Sequence, residues 1–112
     1  MPKLTLLKTE KDFSAFRKSQ SYHSKLLTLR VHFAANQNFP RFGFIVPKKV
    51  LAKATARNLV KRRIKNLLVK VQPRLKPADL LFFPKAGLVK IKFGELEEIV
   101  NKLFTDARLW KS

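Results

Sequence analysis

The stretch Ala54-Thr55-Ala56-Arg57-Asn58-Leu59-Val60-Lys61-Arg62-Arg63-Ile64-Lys65-Asn66-Leu67-Leu68-Val69-Lys70-Val71 predicts the longest helix of the chain. Val60, Ile64, Leu67, Leu68 and Val71 gather on one apolar stripe, and Asn58, Lys61, Arg62, Lys65 and Asn66 fall on the opposite side. Pro73 and Pro77 close the helix off. Arg57, Lys61, Arg62 and Lys65 have no acidic residue three or four positions away, so they are not halves of helix ion pairs. For Lys70, Arg74 and Lys76 a simple solvated face serves equally well.

Outward from this helix the positive charge continues. No acidic residue stands between Asp12 and Asp79, and the net charge of the chain is +18. Such a surface repels itself and weakens the isolated fold. The arrangement makes physical sense if a polyanion normally covers it, because each cation that neutralises a phosphate releases a counterion and gains affinity. The sequence pI near 11.0 points the same way, to nucleic acid.

With 112 residues the chain is long enough for one domain, residues 1–112, built on a single core. Hydrophobic residues make up 46% of it and Phe occurs ten times, which excludes a disordered basic tail. The absence of cysteine excludes disulfides, thiolate zinc sites and thiol nucleophiles. Apolar runs are far shorter than the roughly 20 residues of a membrane span. The amino end is basic then apolar, but too short for a signal-peptide core. A cytoplasmic protein is expected.

Thr9-Glu10-Lys11-Asp12 resembles a capping box opening a helix from Glu10 to Lys18, with Phe13 and Phe16 on one face. From His23 to Ala34 the pattern becomes period two. Leu27, Leu29, Val31 and Phe33 point one way and Thr28, Arg30 and His32 the other. Asn36 to Pro40 is a turn, and Arg41 to Val46 a second strand, expected antiparallel to the first and ended by Pro47. Ala78 to Phe83 reads as a short apolar strand for a sheet interior, with Asp79 its one polar residue. Gly94 to Phe104 is a final amphipathic helix with Glu95, Glu97 and Glu98 in its first turn. The order is α-β-β-α-β-α, an α+β sandwich of helices on a small sheet.

No catalytic constellation is visible. Hydrolysis of a phosphodiester by the polypeptide alone would need metal-binding carboxylates or an acid–base pair. The acidic residues avoid the basic centre, and three glycines leave no Gly-rich phosphate loop. His23 and His32, an odd separation apart on one predicted strand, fall on opposite faces. His32 reads most simply as a surface residue beside Arg30. Phe13 and Phe16 either pack the first helix onto the sheet or border its polar face, where a ring could stack on single-stranded bases.

The segment Val46-Pro47-Lys48-Lys49-Val50-Leu51-Ala52-Lys53-Ala54-Thr55-Ala56-Arg57-Asn58-Leu59-Val60-Lys61-Arg62-Arg63-Ile64 closely resembles the signature of the bacterial ribonuclease P protein component. The likeness extends to Leu6-Leu7-Lys8, Asp12-Phe13, Arg41-Phe42-Gly43, Asp79 and Glu95-Leu96. It implies an α-β-β-β-α-β-type fold like domain 2 of ribosomal protein S5, with a left-handed crossover through the basic helix. It implies a subunit that joins a catalytic RNA to remove 5′ leaders from precursor tRNA, an endoribonuclease only as the holoenzyme. Hydrolysis would fall to the RNA and its bound magnesium ions. No cofactor intrinsic to the protein, no membrane and no obligate protein partner are expected.

Carried over by residue, Lys48, Lys49, Lys53, Arg57, Asn58, Lys61 and Arg62 match the RNA-facing motif, and Lys65 continues their face. Phe13 matches the first aromatic of the leader cleft. Phe16, Thr28, Arg30 and His32 complete the expected leader site. Two departures stand out. Leu59 occupies the place of a second family Arg, so one contact is lost or taken over by Arg63. Phe13 and Phe16 are spaced i, i+3 where the family spaces its aromatics by four. The alternative is a structural or ribosomal RNA-binding protein with no processing role.

Overall fold

The computed structural model describes residues 5–7, 19–33 and 38–111. The predicted first helix, with Thr9, Phe13 and Phe16, lies outside them, as do Ala34 of the predicted strand and residues 36–37 of the predicted turn. The architecture is α+β. The strands are β1 (Thr5–Leu6), β2 (Gln20–His23), β3 (Leu27–His32), β4 (Arg41–Phe44) and β5 (Asp79–Pro84), and the helices α1 (Ala54–Val71) and α2 (Phe93–Asp106). They form a five-stranded sheet in the order β1-β4-β5-β3-β2.

Both helices pack on one face of this sheet. Val60, Ile64, Leu67 and Leu68 of α1, and Leu96, Val100, Leu103 and Phe104 of α2, are buried against Leu27, Leu29, Phe42, Leu80 and Phe82. Phe82 is the hub, stacked on Phe44 at 5.5 Å and edge-on to Phe104 at 6.3 Å between ring centroids. The predicted stripe of α1 is the buried one, with Val71 half-buried at its end. Helix α2 begins one residue before the expected Gly94, and only Glu95 of the three glutamates lies in its first turn.

The predicted strand His23 to Ala34 is the first correction. Its start, His23, is the last residue of β2, and the chain turns at Ser24 before β3, the Ser24 Oγ accepting from the Leu27 amide at 3.1 Å and donating to the Leu27 carbonyl at 3.0 Å. Serine supplies such turns through local side-chain bonds without any glycine signal. The hairpin also resets the face of His23. It pairs with Thr28, and its Nδ1 lies 3.2 Å from the Thr28 Oγ1, so His23 and His32 share a face after all. They remain four residues apart along the sheet, roughly 13 Å. Phe33, expected to point inward with Val31, lies past the strand end and is 55% exposed.

The second correction concerns pairing. Strand β4 does not pair with β3, because β5 lies between them, parallel to β4 and antiparallel to β3. A strand apolar on both faces is best covered at the centre, and the parallel connection runs through α1. On the face away from the helices, Leu81 and Phe83 meet Leu7 and Ile45 in a second, smaller cluster. A Cβ on Gly43 would lie 2.9 Å from the Leu81 Cδ1 and 3.1 Å from the Leu7 Cδ1, so any larger residue would have to push these side chains back from β4. Strand β1, parallel to β4, is too short to leave any periodicity in the sequence.

Candidate nucleic-acid interface

The solvent side of α1 is built as expected. Asn58, Arg62 and Asn66 are exposed, and Lys61 and Lys65 are half-buried along one flank. The Lys65 Nζ sits 5.7 Å from the centre of the Phe44 ring, a cation–π contact that leans it toward the sheet. Among the described residues, no carboxylate pairs with any of these cations.

Lys48, Lys49 and Lys53 are exposed on the segment between β4 and α1. This segment is not loose. Val50 and Leu51 donate their amides to the Pro47 carbonyl at 3.0 and 3.1 Å, and Leu51 packs against the core. Arg57 then reaches back, its Nη1 donating to the Leu51 and Ala52 carbonyls, both at 2.8 Å. Arg57 is therefore a fastener for the lysine-bearing loop, with its charge kept near the helix start.

Arg63 does not replace the cation missing at Leu59. Its guanidinium turns to the opposite flank and donates to the carbonyls of Leu88 at 2.9 Å, Val89 at 3.1 Å and also Ile91.

The second expected group lies on the other face of the sheet. Thr28, Arg30 and His32 line up along β3, half-buried. Beside them stands an ion pair that sequence reasoning missed. Arg41 and Asp79 are register partners at the starts of β4 and β5. Arg41 grips Asp79 through Nε to Oδ1 and Nη2 to Oδ2, each at 2.8 Å, and Asp79 is 1% exposed. The His32 Nδ1 is 3.9 Å from the same carboxylate. The only hint in the sequence was a lone acid opening an apolar strand, and its partner could be named only once β4 and β5 were known to be neighbours. Phe13 and Phe16 lie outside the described residues.

The structure thus brings together Lys48, Lys49, Lys53, Arg57, Asn58, Lys61, Arg62 and Lys65, and separately Thr28, Arg30 and His32, with the sheet between the groups. Among the described residues no three His, Cys, Asp or Glu side chains converge. No described helix is long and apolar enough to cross a membrane.

Comparison with known proteins accounts for this arrangement. The Ribonuclease P family model matches residues 1–108. A ribonuclease P protein component of Streptococcus pyogenes is 28% identical over 109 residues, covering 97% of this chain and 91% of that relative. The fold matches the ribonuclease P protein of Staphylococcus aureus with a TM-score of 0.85 at 17% identity, over 97% of this chain and 100% of that one. It matches that of Thermotoga maritima with a TM-score of 0.75 at 23% identity, over 87% and 93%. A basic helix without acidic partners among the described residues, a polar strip on the other sheet face and a family match over nearly the whole length lead to one conclusion: the chain belongs to the ribonuclease P protein family.

Proposed function

We propose that this protein is the ribonuclease P subunit that binds the catalytic RNA through α1 and the loop before it, and holds the 5′ leader of precursor tRNA on the opposite sheet face. The observation that carries the reading is the basic surface of α1, unpaired among the described residues and continued by a loop that Arg57 fixes in place. Phosphates would meet Lys48, Lys49, Lys53, Lys61, Arg62 and Lys65, and the amides of Asn58 and Asn66 suit phosphates and 2′-hydroxyls. Thr28, Arg30 and His32 offer single-stranded leader a hydroxyl, a cation and an imidazole in a row. Magnesium belongs on this reading to the RNA, and removal of the leader takes place in the assembled, cytoplasmic holoenzyme.

The test is reconstitution with a Streptococcus pyogenes ribonuclease P RNA and a precursor tRNA. The protein should raise 5′-leader removal most at low magnesium, where RNA phosphates are poorly screened. The RNA-free protein should cleave nothing. Cleavage by the protein alone would overturn the assignment of chemistry to the RNA. Binding without any gain in processing would favour a purely structural RNA-binding protein.

A further inference from the structure

The Arg63 clamp leads beyond the α1 surface. Residues 86–89 form a short 3-10 turn whose Leu88 is 1% exposed, plugged into the core. Before it, the Lys85 amide donates to the Leu26 carbonyl at 2.9 Å, tying the segment to the β2–β3 turn. The carbonyls of Leu88 and Val89 within the 3-10 turn and of Ile91 just beyond it take hydrogen bonds from one guanidinium. Farther along the same flank of α1, the Lys70 Nζ sits 5.5 Å over the ring of Phe93. Residues 88–93 therefore run along the flank of α1 that also carries Leu59, and they are held at both ends. Within this stretch Lys90 and Lys92 are exposed, and neither is ion-paired among the described residues. Glu95, Glu97 and Glu98 of α2 follow directly and limit the positive strip on its far side.

We propose that Lys90 and Lys92 form a second phosphate-contacting strip for the catalytic RNA, supplying the charge absent at Leu59, and that Arg63 is its positioning residue. Arg63 spends its donors on protein carbonyls, which fixes the strip beside the basic face of α1 so that one RNA backbone meets both. This rests on the proposed RNA-binding role of α1 and extends it to a neighbouring surface. An acidic protein partner is disfavoured, because the strip is continuous with the larger basic face.

The experiment measures affinity for Streptococcus pyogenes ribonuclease P RNA against salt, with melting temperature alongside. Lys90→Ala with Lys92→Ala should make the log-affinity versus log-salt slope shallower by roughly 0.7 to 0.9 per lysine, and should weaken binding roughly tenfold or more near 0.1 M salt. Arg63→Lys keeps the charge but cannot span three carbonyls. It should lose slope as the double lysine variant does, while Arg63→Lys combined with that variant should lose no more. An unchanged slope in the lysine variant, with a shallower one in Lys61→Ala, overturns the strip and leaves the α1 interface standing. Unchanged slopes in both overturn the α1 interface itself. Full binding by Arg63→Lys with a loss in Arg63→Ala would make Arg63 a direct contact and overturn its positioning role.

Discussion

Arg41 and Asp79 show what one side chain can decide. Each opens its strand, and parallel register brings them together as a two-bond pair whose aspartate is buried. Removing one partner of a buried pair strands the other charge, so Asp79→Ala should cost about 3 kcal/mol, the low end of the usual range because Arg41 is partly exposed. Arg41→Met combined with Asp79→Leu should recover most of that loss in chemical denaturation. If the double variant were no better than the single one, the pair would matter for more than charge compensation. Arg57 works differently, since its hydrogen bonds hold the loop bearing Lys48, Lys49 and Lys53. Arg57→Ala should therefore weaken RNA binding more than Lys61→Ala does, and should lower stability by about 1–2 kcal/mol. Lys61→Ala, by contrast, should leave the melting temperature unchanged. Equal effects of the two substitutions on both quantities would mean that the loop holds itself in place.

At the scale of the element, α1 is where sequence and structure agree most closely. Its bounds, its buried stripe and its polar side all follow from spacing, because an amphipathic helix carries its own address for the core. The surface is not saturated, however. Leu59 is half-buried on the flank next to Arg62 and Arg63, and the latter is occupied with carbonyls. Leu59→Arg should steepen the salt dependence of RNA binding by roughly 0.7 to 0.9 without stabilising the free protein. No change in slope would show that RNA does not reach this flank. Strands were less legible. The hairpin turn at Ser24 has no Gly or Pro to mark it, so β2 went unread, its last residue was joined to the run of β3 and His23 was put on the wrong face. The two residues of β1 are recognisable only through their partner β4.

For the whole molecule, the proposed function assigns its two tasks to opposite faces of the sheet, one covered by α1 and α2 and the other carrying the polar strip of β3. Thr28, Arg30 and His32 lie across the sheet from α1, so a substitution there need not disturb the basic surface. Arg30→Ala should weaken binding of precursor tRNA to the reconstituted holoenzyme and leave mature tRNA nearly unaffected, with the RNA subunit still bound at wild-type affinity. Equal losses for precursor and mature tRNA would remove Arg30 from the leader site. The amino-acid sequence by itself determined the class of partner, the basic helix and the apolar character of β5, since charge balance and local periodicity are written in neighbouring residues. Only the tertiary structure decided that β5 sits between β3 and β4, that Asp79 meets Arg41, and that Arg63 binds the carbonyls of Leu88, Val89 and Ile91. Those outcomes depend on register and on contacts between residues distant in the chain, where many pairings satisfy the same local pattern and only the shared core selects one.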